Sequence, residues 1–232
     1  MRTIKTILWD VDGTILDFDA AERAALKTLF PAFALGDCTD EMIARYSAIN
    51  VSFWQRLERG ELTKPQVLTG RFEQFFREYG IDTGIVPAFN DRYQLTLGDT
   101  IVFRDDSFHL VQALKGKTRQ YVVSNGTVVA QNKKLARSGL GAMMDGIFLS
   151  EELGAEKPSP AFFEKVFAAI GPVELSSVLI VGDSLTSDIQ GGMNAGIKTC
   201  WYNPSRKPLP DAYRVDYDIS DLHAVLDLVM DK

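Results

Sequence analysis

Apolar residues along this chain follow two different rhythms, and the change between them divides it. Residues 4–9 form a short, β-branched-rich apolar run, which predicts a buried strand. From Phe18 to about Leu97 the apolar positions instead recur every three or four residues. Ala20–Phe30 is rich in helix formers. Thr39-Asp40-Glu41 carries the signature of a helix N-cap, and Met42, Ile43, Tyr46, Ile49, Phe53 and Leu57 follow at helical spacing until Gly60. Thr63, with Pro65 in the first turn, opens a third helix running through Val67, Leu68, Phe72, Phe75 and Phe76 to Gly80. Val86–Leu97 predicts a fourth. Strand signals are scarce here, so the block reads as a small helical bundle.

After Asp105 apolar strands and amphipathic helices alternate. The pattern predicts helices at Ser107–Leu114, Val128–Arg137, Ser159–Ile170 and Ser187–Ala195. Between them it predicts strands at Gln120–Ser124, Ile147–Leu149, Val178–Val181 and Ile197–Trp201. Such alternation implies an α/β fold with a Rossmann-like, doubly wound parallel sheet. The helical bundle is then an insertion directly after the first strand.

Bulk composition narrows the classes without choosing a substrate. The 232 residues are 46 % hydrophobic and 24 % charged, ordinary for a globular protein with a real core. A net charge of −6 argues against a nucleic-acid polymer as partner. Cys38 and Cys200 are far apart and show no CxxC spacing, which fits two ordinary thiols in a reducing compartment. Ile7–Trp9 is too short for a signal core or membrane span, so the expectation is a cytoplasmic protein with no membrane partner. A monomer and a homodimer both fit.

Candidate chemistry sits where the predicted strands end. Ligands of open α/β sheets bind at the carboxyl ends of strands. The first strand runs into Asp10-Val11-Asp12-Gly13-Thr14, two carboxylates two residues apart and so on one side of an extended chain. Two nearby anions call for a raised pKa or a cation. The second strand ends at Ser124-Asn125-Gly126, a loop before a helix holds Lys157-Pro158, and the next strand ends at Gly182-Asp183-Ser184 with Asp188 five residues after Asp183. Each segment alone also fits a turn, a loop entry or a helix cap. Together and in this order they supply a nucleophile, phosphate donors and an oxygen-only site of the kind that holds Mg²⁺.

In these four segments the chain resembles the haloacid-dehalogenase-like (HAD) hydrolase superfamily, and within it the capped phosphatases. The resemblance implies an α/β catalytic core of residues 1–15 and 99–232 and a helical cap of residues 16–98. It implies Asp10 as nucleophile, Asp12 as general acid and base, and Ser124 and Lys157 as further catalytic groups. Phosphate oxygens would be bound by Asp12, Gly13, Ser124, Asn125, Gly126 and Lys157. Mg²⁺ would be held by Asp10, Asp12 (through its carbonyl) and Asp183, with Asp188 behind them orienting the metal's waters or Lys157. The family's dehalogenases lack the second aspartate and the Gly-Asp-Ser, so phosphate-ester hydrolysis is expected.

Ala48–Trp54, Arg59–Thr63, Gly70–Glu73, Gly182–Gly192 and Thr199–Pro204 resemble the YjjG-type pyrimidine 5′-nucleotidase branch. That resemblance implies a nucleoside monophosphate such as dUMP, dTMP or UMP as the small-molecule phosphate ester. A phosphatase of sugar phosphates or similar metabolites, or a phosphomutase, on the same core is the alternative. By residue type, Trp54 or Phe75 would stack on the base and Asn50 or Arg71 would meet its polar edge.

Overall fold

The computed structural model describes residues 4–229. The chain divides into two compact units, Met1–Asp17 with Val102–Lys232, and Phe18–Ile101. The first unit is built on six strands: β1 (Thr6–Trp9), β2 (Arg119–Ser124), β3 (Gly146–Leu149), β4 (Val178–Gly182), β5 (Lys198–Tyr202) and β6 (Tyr217–Ile219). Their spatial order is β3-β2-β1-β4-β5-β6 and every neighbouring pair is parallel. Every residue of β1 and β4 is buried, which explains their unbroken apolar character in a sheet that is covered on both faces. Leu8, Val123, Phe162, Val166 and Ile180 pack together in the core. Trp9 is fully buried, and its indole nitrogen donates to Gln120 Oε1 at 3.1 Å.

The chain runs outward from β1 to β2 and β3, then returns to the other side of β1 for β4, β5 and β6. The strand order therefore reverses between β1 and β4, where such a sheet opens a crevice at its carboxyl edge. Asp10 follows β1, and its amide donates to the carbonyl of Val181 in β4 at 2.9 Å. This places the first acidic motif in that crevice beside the Gly182-Asp183 end of β4.

Four helices make the second unit: α1 (Phe18–Ala32), α2 (Asp40–Glu58), α3 (Lys64–Glu78) and α4 (Val86–Leu97). The Thr39 hydroxyl accepts from the Met42 amide at 3.2 Å, and the Gln66 side chain accepts from the Thr63 amide at 2.8 Å, so caps start α2 and α3 as their residues predict. The core is aromatic: Phe72 lies 4.9 Å from Tyr46, 5.1 Å from Phe89 and 5.0 Å from Tyr93, centroid to centroid. Each such ring contributes about 1.5–3 kcal/mol by leaving water.

In the first unit, α5 (Ser107–Leu114), α6 (Val128–Ser138), α7 (Ser150–Leu153), α8 (Pro160–Ile170), α9 (Gln190–Ala195) and α10 (Ala224–Val229) flank or connect the strands. The helix expected at Ser187–Ala195 is two pieces, a π-helical turn at Leu185–Ile189 followed by α9. The Ser184 hydroxyl accepts from the Ser187 amide at 3.1 Å, and Asp188 accepts from the Ser184 amide at 3.2 Å. These local bonds wind the turn wider and bring Asp188 back under the end of β4. Cys38 and Cys200 are both buried free thiols. Among the described residues no helix is long and apolar enough to cross a membrane.

Candidate active site

Three loops at the carboxyl edge of the sheet converge on one buried lysine. Lys157, 1 % exposed, donates from Nζ to Asp10 Oδ1 at 2.9 Å, Asp188 Oδ1 at 2.6 Å and the Val123 carbonyl at 2.8 Å. All three ammonium hydrogens are thus accounted for. The backbone of Lys157 is tied reciprocally to Asn125: its amide donates to Asn125 Oδ1 and its carbonyl accepts from Nδ2, both at 2.8 Å. Asn125 therefore joins two loops in this structure. The Ser124 hydroxyl accepts from the Gly126 amide at 3.0 Å, which shapes the turn after β2.

The Thr14 hydroxyl is buried within 3.1 Å of Asp10 Oδ2 and 3.2 Å of Asp183 Oδ1, and it accepts from the Asp183 amide at 3.1 Å. Threonine 14 thus links the ends of β1 and β4. Gly13 between them has φ +91°, and a Cβ there would come within 2.7 Å of the Asp183 carboxylate. Only glycine fits that approach.

Among the described residues, Asp10, Asp183 and Asp188 bring one carboxylate oxygen each to within 4.8 Å of one another. Burial pushes the Asp10 carboxyl up to about 7; Lys157 pulls it down, while Asp188 and Asp12 push it further up. For Lys157 burial favours the neutral amine, but Asp10 and Asp188 outweigh it and hold the ammonium charged. One ammonium bonds two of these three crowded carboxylates, and the third, Asp183, is exposed. That excess, with donors that are all oxygen, fits a hard divalent cation.

The carboxylate of Asp12 lies apart from this group. Its Oδ1 accepts from Lys134 Nζ at 2.5 Å and its Oδ2 from Gln131 Nε2 at 2.6 Å. Both donors come from α6, and neither stands out in the sequence. The available signal was a polar pair three residues apart on the face of α6 that also carries Ala130 and Leu135 inward.

The residues expected to recognise a base fare differently. Phe75 is fully buried, with its ring against Phe30, Tyr46, Phe76 and Tyr79. It is a core residue, and the expectation that it stacks on a base is corrected, because its faces are already filled. Asn50 and Arg71 are 2 % and 1 % exposed. Arg71 donates to Asn50 Oδ1 at 2.7 Å, and Asn50 Nδ2 donates to Glu22 at 2.9 Å. The two side chains thus bond one another inside the helical unit instead of offering a solvated polar edge. Trp54 is half-buried, its ring 6.0 Å from the Arg71 guanidinium.

The pattern of the haloacid dehalogenase-like hydrolases matches residues 4–196. YfnB of Bacillus subtilis (strain 168), named only as a HAD-hydrolase, is 38 % identical over 222 residues, 96 % of this chain and 94 % of YfnB. Its magnesium-bound crystal structure, which is described as revealing interdomain movement, superposes with a TM-score of 0.91 at 36 % identity, covering 98 % of this chain and 99 % of that one. The pyrimidine 5′-nucleotidase PynA of Streptococcus pneumoniae (strain ATCC BAA-255 / R6) is 34 % identical over 225 residues, 96 % of this chain and 94 % of PynA. The pyrimidine 5′-nucleotidase YjjG of Escherichia coli (strain K12) is 29 % identical over 223 residues, 96 % of each chain. Likeness in sequence and likeness in fold meet on the same conclusion, that this chain belongs to the haloacid dehalogenase-like hydrolase family.

Proposed function

We propose that the chain is a Mg²⁺-dependent phosphatase of nucleoside monophosphates, in the manner of a pyrimidine 5′-nucleotidase acting on dUMP, dTMP or UMP. The observation that carries the reading is the Asp10–Lys157–Asp188 cluster beside Asp183 at the strand reversal. It offers a nucleophilic carboxylate, a fixed cation and an acidic excess in one place. The full-length likeness to PynA and YjjG supports the substrate class.

Asp10 attacks phosphorus in line. A bond forms between its carboxylate oxygen and phosphorus while the ester P–O bond breaks, and Asp12 passes a proton to the departing oxygen. Water then attacks the aspartyl-phosphate, Asp12 takes its proton, and inorganic phosphate leaves with Asp10 regenerated. Asp10, Asp183 and the carbonyl of Asp12 would hold a Mg²⁺ ion, which would supply positive charge for the phosphoryl oxygens. Lys157 keeps the Asp10 carboxylate in place and adds a second positive charge. Ser124, the amides of Asn125 and Gly126, and Gly13 complete the phosphoryl cradle. Asp188 fixes Lys157 from behind.

Substrate choice is assigned to the helical unit, acting as a cap, with Trp54 as the base-stacking residue. The test is a turnover panel of nucleoside monophosphates and sugar phosphates, with Mg²⁺ and with chelator. Release of phosphate from pyrimidine nucleotides, lost on chelation, is expected. Preference for sugar phosphates, or an isomerised product without phosphate release, would overturn this reading in favour of a metabolite phosphatase or a mutase.

A further inference from the structure

We propose that Gln131 and Lys134 are positioning residues for Asp12, holding its carboxylate where it exchanges a proton with the bridging oxygen of the ester. This rests on the phosphatase reading above and names the residues on which its proton-transfer group depends. Three observations carry it. First, the two donors engage both carboxylate oxygens, Lys134 on Oδ1 at 2.5 Å and Gln131 on Oδ2 at 2.6 Å, so the group can neither rotate nor drift. Second, both donors are buried, 1 % and 0 % exposed, whereas the Asp12 side chain keeps 23 % of its surface open. The clamp grips from inside the protein and leaves the outward face of the carboxylate accessible.

Third, the arrangement is expensive for the fold. Burying a lysine opposite a partly solvated aspartate gains little stability once desolvation is counted. Gln131 also keeps a buried Oε1 with no hydrogen-bond partner among the described residues, a cost that a leucine would avoid. Room for its amide comes from Gly126, where a Cβ would stand 2.3 Å from Nε2. A loop glycine, a buried amide and a buried ammonium thus converge on one carboxylate. Proton transfer depends on the donor being held within hydrogen-bond reach of the reacting oxygen.

The experiment compares two esters in Mg²⁺: a nucleoside monophosphate, whose alkoxide leaves poorly unless protonated, and p-nitrophenyl phosphate, whose phenolate leaves readily without a proton. Because kcat/KM covers steps up to loss of the leaving group, it isolates the acid role of Asp12. Lys134→Met should lower kcat/KM for the nucleotide by on the order of 10²-fold and for p-nitrophenyl phosphate by less than about threefold. In an Asp12→Asn background the same change should add less than about threefold, since there is no acid left to position. Gln131→Leu should repeat the pattern more weakly, and it carries the test alone if Lys134→Met does not fold. Equal losses on both esters, losses that persist in the Asp12→Asn background, or no loss at all would overturn the proposal. A wild-type chain that hydrolyses neither ester would instead bring down the phosphatase reading, and this inference with it.

Discussion

The two units each bury charge, and they balance it in opposite ways. In the helical unit, Glu22 is surrounded by donors: Ser47, Asn50 at 2.9 Å and Tyr93 at 3.3 Å. Arg71 provides one positive charge against that one negative charge, bridged through Asn50 and flanked by the rings of Phe72 and Tyr93. Burial raises the proton affinity of Glu22, while Ser47 and Arg71 oppose it. At the sheet edge one ammonium bonds two of three crowded carboxylates, and the nucleophile candidate is pushed up to about 7. A nearly closed account holds a bundle together. An open one leaves an attraction for a cation, which would in turn draw an anionic phosphoryl group. The same elementary cost, charge removed from water, holds a structural element together in one place and, on the proposed reading, prepares a reactive one in the other.

The sharpest way to break this contrast is to remove the nucleophile. Asp10→Asn should reduce phosphate release by on the order of 10⁴-fold or more while the far-ultraviolet circular dichroism stays unchanged. Retained turnover would mean that the open account at the sheet edge is not catalytic. The same variant tests the electrostatics without substrate. A carboxyl raised from 3.8 to about 7 favours the folded state fully below about pH 4 and loses that contribution as pH rises through about 7. Metal-free Asp10→Asn should therefore gain stability relative to wild type between pH 5 and pH 8, read as denaturant midpoints. A constant difference across that range would contradict the assignment.

Arg71→Met strikes the balanced account. It leaves Glu22 buried without its cation and should cost about 3–5 kcal/mol in chemical denaturation. A loss well under about 1 kcal/mol would show that Ser47, Asn50 and Tyr93 satisfy the glutamate alone. Adding Mg²⁺ to the metal-free protein at one hundred times its Kd should stabilise it by about 2.7 kcal/mol through preferential binding to the folded state. Asp183→Asn should abolish most of that shift, whereas Arg71→Met should leave it intact. The smallest effect is expected at Trp54: its replacement by alanine should raise KM for dUMP about tenfold, consistent with stacking energies of about 1–3 kcal/mol. Kinetics with p-nitrophenyl phosphate should not change, and equal losses on both substrates would assign Trp54 to packing instead.

Much of the sheet edge is legible in sequence because its residues sit at strand ends, where the hydrophobic run stops and chemistry begins. Asp10 follows β1, Ser124 closes β2 and Asp183 follows β4 as the pattern predicts, and α4 and α5 run over Val86–Leu97 and Ser107–Leu114 as expected. What the pattern missed depends on partners distant in the chain. Lys134 and Gln131 look like the polar face of an amphipathic helix, and only folding shows that Asp12, more than a hundred residues earlier, faces them. Asn50, Arg71 and Phe75 have the right chemistry for a nucleotide, but spacing along a helix does not reveal whether a side chain meets a ligand or a neighbouring helix. β6 and α10 escaped because three and six residues carry too little periodicity to stand out from a polar segment.

Transient phosphorylation of Asp10 is the claim on which the account turns, and it can be observed covalently. Wild-type protein mixed with dUMP and Mg²⁺, quenched in the steady state and reduced with borohydride, should yield a peptide in which position 10 has become homoserine, the product of a reduced acyl phosphate. Absence of that mass under turnover, or its appearance at another carboxylate, would contradict it.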